Sequence, residues 1–210
     1  MTISVINGSP KRGKSTSGLL IKYFCQAIDD KKIVRIYDAS KAPLQQEQYD
    51  EIINSTALLF VFPLYVDSIP SNLLRILVDL EKQYRLTKNM MVYCIVNNGF
   101  FEGKQNYIAI EQIKSWCDAA GTTWGQGIGM GAGEMLPFIA EVPLGHGPNK
   151  NLGRAINLLA NNILNQKSGE NILSSPNWSR FLWKIQSSLL GWYPRAKHNG
   201  LTKHEMKKRC

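Results

Sequence analysis

Paired cysteines, an export signal, long apolar runs and internal repeats are all missing from this 210-residue chain. The four cysteines, Cys25, Cys94, Cys117 and Cys210, lie far apart and form no C-x-x-C pair. That spacing argues against a zinc knuckle, an iron-sulfur cluster and a disulfide framework, so the four read as reduced thiols and no metal site is expected. The N-terminus has no basic stretch followed by a long apolar run, and its apolar residues are spent on a strand before NGSPKRGK interrupts them. The expected location is therefore cytoplasmic. Histidine is scarce too. His146 sits in the loop PLGHGPNK and reads as structural or solvated, while His198 and His204 fall in the tail. No nucleophile-base-acid set assembles around them, and no catalytic residue is assigned.

Acidic residues are outnumbered, giving a net charge of +9, but the excess is uneven. From Trp178 to Cys210 eight Lys or Arg face Glu205 alone, so this tail carries +7 and the remainder only +2. A nearly neutral body gives no case for nucleic-acid binding by the core.

What is present is a regular alternation. β-branched and apolar runs at 2–6, 32–37, 57–62 and 90–96, with a weaker one at 122–128, read as strands. Between them, helical spacing marks a segment from about Gly18 (Leu19, Leu20, Tyr23, Phe24, Ile28), then 46–54, 72–84 and 107–120, with a last helix at 152–165. Strand and helix alternating five times predicts a doubly wound, five-stranded parallel sheet with right-handed crossovers. In such a sheet, ligands bind beyond the carboxyl ends of the strands where their order reverses. The expected organisation is one domain over 1–167, followed by a C-terminal helical extension and basic tail over 168–210.

The loop after the first strand, INGSPKRGKSTS, reads as a phosphate cradle. Gly8 and Gly13 permit tight turns, Lys11, Arg12 and Lys14 supply positive charge, and Ser15, Thr16 and Ser17 put hydroxyls beside free amides of a helix N-terminus. Gly8 to Ser15 also satisfies G-x-x-x-x-G-K-S, the triphosphate P-loop. That reading needs a carboxylate at a neighbouring strand end to support magnesium, and Asp38 is its best candidate. A monophosphate held by amides and hydroxyls needs neither metal nor carboxylate.

The order Gly8, Ser9, Pro10, then Ser15, Thr16, Ser17, resembles the loop of the NAD(P)H-dependent FMN reductases of the flavodoxin-like superfamily. After the third strand, Pro63, Leu64, Tyr65, Val66, Asp67, Ser68, Ile69, Pro70 and Ser71, running on to Leu73 and Leu74, are similar to that family's P-x-Y-x-x-S-I-P-x-x-L-K segment, from which Arg75 departs little. Asn97, Asn98, Gly99 and Phe100 fall where the family has a glycine-containing loop at the flavin's polar edge. The resemblance implies a flavodoxin-like fold and FMN as cofactor. It assigns cofactor binding to Ser9, Lys11, Arg12, Lys14, Ser15, Thr16, Ser17, Pro63, Leu64, Tyr65, Val66, Asn98, Gly99 and Phe100. Tyr65 and Leu64 would form the stacking face, and backbone donors near Asn98 and Gly99 would meet charge on the reduced ring. It further implies NADH or NADPH as electron donor, a small-molecule acceptor such as a quinone, nitroaromatic, azo dye or free flavin, and a homodimer. The rival classes are a non-catalytic electron carrier or flavin sensor, and the P-loop NTPase.

Two segments stand outside this scheme. GQGIGMGAG (125–133) contains G-x-G-x-x-A, but it neither follows the first strand nor opens a helix, so it is not a dinucleotide fingerprint. Its glycines read as letting backbone pass close to flavin, substrate or a partner subunit. In the tail, Trp178, Phe181, Leu182, Ile185, Leu189 and Trp192 recur at helical spacing over 178–193. Packing on the domain or a dimer mate is the leading reading there, rest on an anionic membrane the second, and nucleic acid the last.

Overall fold

The computed structural model describes residues 1–28, 33–84 and 86–207. Lys32, the expected start of the second strand, and Lys208, Arg209 and Cys210 lie outside the described residues. The chain divides into two compact units, Met1–Pro176 and a second beginning at Asn177.

In the first unit, β1 (Ile3–Asn7), β2 (Val34–Asp38), β3 (Ala57–Pro63), β4 (Met91–Asn97), β5 (Thr123–Met130) and β6 (Ile172–Ser174) form one sheet in the order β2-β1-β3-β4-β5-β6. Every neighbouring pair is parallel. The chain leaves β1 for β2 on one side and then returns to β3 on the other, so strand order reverses between β1 and β3.

Strand β3 shows why this sheet is covered on both faces. Ala57, Leu59 and Val61 join one apolar cluster and Leu58, Phe60 and Phe62 the other. The first cluster takes in Leu20 and Phe24 of α1 (Thr16–Ala27) and Ile156, Leu159 and Ile163 of α5 (Lys150–Leu164). The second takes in Tyr49 and Ile52 of α2 (Gln46–Ile53), Leu73, Ile76, Leu77 and Leu80 of α3 (Ser71–Gln83), and Ile110, Ile113 and Trp116 of α4 (Tyr107–Ala120). Period-two alternation on the strand meets a 3.6-residue stripe on each helix, and each fully buried Leu or Phe stabilises by about 1.5–3 kcal/mol. Trp116 adds direction, with its ring edge-on to Phe60 at 5.6 Å and Nε1 donating to Leu77 O at 3.0 Å.

The sheet has six strands where the sequence reading expected five, and it continues past residue 167. Strand β6 spans three residues, too short to show a period. It is recruited by tertiary bonds: Gly131 N donates to Ser174 O at 2.9 Å, and Gly127 N to Asn171 Oδ1 at 2.9 Å.

The glycines expected to approach a flavin or partner belong in part to β5 and face the chain's own side chains. A Cβ at 127 would lie 2.6 Å from Ile110 Cγ2, and one at 129 would lie 2.8 Å from Leu173 Cδ2. Position 125 is filled by the Tyr93 ring.

The second unit contains a helical run over 180–198 in place of the expected 178–193. It comprises α6 (Arg180–Gln186), a π-helical stretch (Ser187–Trp192) and α7 (Tyr193–His198). Among the described residues, no helix is long and apolar enough to cross a membrane.

Candidate functional site

The loop after β1 is pinned at its start. Gly8 N donates to Val61 O at 2.8 Å, drawing the backbone so close to β3 and α3 that a Cβ at this position would sit 2.7 Å from both Phe62 Cβ and Leu73 Cδ2. Two local bonds fold the next residues: Ser9 N donates to Asn7 Oδ1 at 3.2 Å and Lys11 N to Ser9 Oγ at 3.3 Å. Gly13 turns the chain with φ of 94°. Ser15 then caps α1 from extended backbone, its Oγ accepting from Gly18 N at 3.1 Å. The amides of Thr16 and Ser17 belong to the first helical turn, which has no intrahelical acceptors, and they have no capping partner among the described residues.

Residues far along the chain hold this helix end in place. Thr16 Oγ1 donates to Gly133 O at 3.2 Å. Asn97, the last residue of β4, donates through Nδ2 to Ser17 Oγ at 3.2 Å and to Phe62 O at 3.0 Å. Its own carbonyl accepts from Leu64 N at 2.7 Å. The buried Asn97 side chain thus ties the first, third and fourth loops together.

The loop after β3 turns back at once. Tyr65 and Ser68 exchange backbone bonds of 3.1 and 3.0 Å, with Val66 and Asp67 both left-handed at φ of 50° and 56°. This is the geometry of a type I′ turn, usually supplied by Asn and Gly. A β-branched residue held there costs on the order of 1–3 kcal/mol. Val66 is 99% exposed, so no packing of its side chain offsets that cost.

After β4, Asn98 is buried. Its N–H donates to Met130 O at 3.1 Å, its carbonyl accepts from Gly133 N at 2.7 Å, and Nδ2 donates to Glu102 O at 3.2 Å. Its Oδ1 has no partner. A buried carbonyl oxygen without a donor is costly. Of the backbone donors expected near Asn98 and Gly99, that of Asn98 is used within the sheet edge, which leaves the role to Gly99.

These loops enclose a cleft of about 170 Å³ lined by Ser9, Lys11, Ser15, Thr16, Ser17, Pro63, Leu64, Tyr65, Asn97, Asn98, Gly99 and Glu134. The fold therefore brings together Ser9, Lys11, the three hydroxyl residues, Pro63, Leu64, Tyr65, Asn98 and Gly99 as the sequence anticipated. Arg12, Lys14, Val66 and Phe100 are not among the lining residues; they are exposed, Phe100 to 56%. Asn97 was legible as a turn residue but its bridging role was not. Glu134 had no signal. It follows the left-handed Ala132, whose N–H donates to Phe100 O, and it stands beside Gly99, where a Cβ would come within 3.8 Å of its side chain.

Chemically, the cleft lining combines a helix N-terminus, the Ser15 and Ser17 hydroxyls and Lys11, which suits an anionic group. The same lining includes Asn98, whose buried Oδ1 is unpartnered, together with Leu64 and Tyr65. Asp38, the candidate magnesium carboxylate of the triphosphate reading, does not line the cleft. Its Oδ1 accepts from Ser40 N at 2.9 Å and caps the short turn after β2.

No family model and no curated protein sequence matches this chain. Solved structures do match its fold. An FMN-dependent NADH-azoreductase from Bacillus anthracis, in complex with FMN, aligns with a TM-score of 0.54 at 13% identity, over 78% of this chain and 99% of that one. An NADPH-quinone reductase from P. pentosaceus gives 0.54 at 11% identity, covering 77% and 96%. A short-chain flavodoxin associated with a bacterial microcompartment gives 0.54 at 13%, covering 80% and 100%. The chain has the flavodoxin-like fold that these proteins share. Fold alone does not choose among them.

Proposed function

We propose that this chain is an FMN-dependent NAD(P)H oxidoreductase that passes a hydride from a reduced nicotinamide, through flavin, to a quinone, a nitro or azo compound or another small acceptor. One observation carries the reading: Ser15, Tyr65 and Asn98, from the ends of three different strands, line one cleft at the point where strand order reverses.

Bound FMN would supply the redox chemistry, taking up the hydride and delivering two electrons to the acceptor, which leaves binding, orientation and electrostatics to the protein. The amides of Thr16 and Ser17 and the hydroxyls of Ser15 and Ser17 are suited to a phosphate monoester, while the Thr16 hydroxyl is already engaged with Gly133 O. Lys11 adds charge within the cleft, and Arg12 and Lys14 raise the local potential from the exposed part of the loop. Asn98 Oδ1 is suited to accept from an N–H of the ligand, with Gly99 N–H as the neighbouring donor. Leu64 and the half-exposed Tyr65 supply an apolar wall for a planar ring. Val66 and Phe100, both exposed, would act only at the rim. The proposal includes a homodimer and a cytoplasmic location.

The test is the visible spectrum of the purified full chain. The proposal expects a yellow protein that bleaches anaerobically with NADH or NADPH and recolours on adding a quinone. A yellow protein inert to both donors would be a carrier or sensor. A colourless protein that hydrolyses ATP with magnesium would belong to the triphosphate class.

A further inference from the structure

The second unit leaves large apolar side chains in solvent. Phe181, Leu182, Ile185, Leu189, Leu190 and Trp192 are all exposed, Phe181 to 69% and Leu190 to 55%. Phe181, Ile185 and Leu189 recur every fourth residue and so share one helix face. Neither α6 nor the π-helical stretch buries a single residue. Burying such side chains is worth more than any surface polar contact they could make, so a face of this kind marks a docking surface.

What surrounds that face limits the occupant. No Asp or Glu occurs between Trp178 and His204, whereas Lys184, Lys197 and Lys203 are exposed there. Lys203 Nζ lies 4.7 Å above the Tyr193 ring, keeping a cation beside an aromatic of the same run. Apolar side chains flanked only by cations are complementary to a surface that is apolar inside and anionic at its rim. A second copy meets the wrong charge, because pairing two such runs sets Arg180, Lys184, Arg195 and Lys197 of one, with no Asp or Glu among them, against the same four cations of the other. Nucleic acid satisfies the lysines but gives leucine and isoleucine nothing to enter. The lysines inside the run forbid a transmembrane position, and an interfacial one suits them.

We infer that the helical run over 180–198 is a docking surface for an anionic lipid bilayer, on which it lies in the plane of the headgroups with Phe181, Ile185 and Leu189 inserted and its lysines at the phosphates. This binding does not depend on the proposed redox activity.

The experiment is co-sedimentation of the full chain with vesicles of phosphatidylcholine containing about one-third phosphatidylglycerol, beside vesicles of phosphatidylcholine alone. The expected result is sedimentation with the anionic vesicles only, a blue shift of tryptophan emission and release by salt. Phe181→Ser combined with Leu189→Ser should weaken partitioning by about 100-fold. Lys184→Gln combined with Lys197→Gln should weaken it by about 10- to 30-fold. All four positions are exposed, so both variants should keep the parent's circular dichroism and melting temperature. The inference is overturned if anionic and neutral vesicles bind alike, or if either folded variant binds as the parent does. It is also overturned if the parent self-associates in sedimentation velocity and Phe181→Ser/Leu189→Ser disperses it, since a second copy would then be the occupant.

Discussion

Asn97 and Ser17 are 80 residues apart in sequence, yet Asn97 Nδ2 donates to Ser17 Oγ across 3.2 Å. Because the same Nδ2 also donates to Phe62 O, a single buried amide sets the positions of the helix N-terminus, the β3 loop and the β4 loop relative to one another.

Replacing that amide should therefore damage stability and site together. Asn97→Ala leaves a buried hydroxyl and a buried carbonyl with one partner fewer, which costs about 1–3 kcal/mol. The midpoint of urea unfolding should fall accordingly, and FMN affinity measured by equilibrium dialysis should fall with it. A lower midpoint with unchanged affinity would separate this residue from the site.

Ser15 can be changed so that its two roles part. Ser15→Asp still offers an oxygen to Gly18 N and remains a good helix cap, but it sets a negative charge where the phosphate is proposed to sit. FMN binding should weaken by at least about 100-fold, while thermal stability stays near that of the parent. Ser15→Ala should behave in the opposite sense, with about 1 kcal/mol lost from the missing cap and a smaller loss of affinity. Undiminished FMN retention by Ser15→Asp would remove this loop as the phosphate site.

Gly8 is required by crowding. Gly8→Ala places a methyl 2.7 Å from Phe62 Cβ, a backbone-fixed atom that cannot swing aside, so the loop must move or β3 must yield. A destabilisation of about 1–3 kcal/mol is expected from overpacking, read from the shift in the unfolding midpoint. Full stability would mean that the loop can retreat from β3 without cost.

Alkaline conditions should unfold the first unit. Burial holds the Cys117 thiol up to about 12 and the Tyr93 phenol up to about 12, while burial and the neighbouring Cys117 push Cys94 well up. In the unfolded chain, these groups lose their protons from about pH 8.5 to 10. The folded state then binds more protons than the unfolded one, so the stability contributed by the neutral groups is complete below that range. It is lost as pH rises toward 12. Denaturant midpoints should fall steadily from about pH 9 upward. In the folded protein, Cys94 and Cys117 should resist a thiol reagent at pH 8 and react once guanidinium is added, since only an accessible thiolate attacks. A flat stability profile between pH 9 and 11 would contradict this account.

Local pattern determined much of this protein. The double-sided apolar run of β3, the helical stripes of α1, α3 and α4, and the Gly8 to Ser17 loop between a strand and a helix each carry their own signature over a few residues, because strand alternation, helix spacing and cap chemistry act between near neighbours. From those units a doubly wound parallel sheet follows, with its ligand site expected beyond the carboxyl ends of the strands. Tertiary structure alone decided the rest. Strand β6 exists because β5 offers it hydrogen bonds, the glycines of β5 are needed because Tyr93 and Ile110 occupy the space beside them, and Asn97 becomes a bridge because three loops end at one sheet edge. Glu134 enters the cleft for the same reason, since contacts between residues distant in sequence leave no periodic trace along the chain.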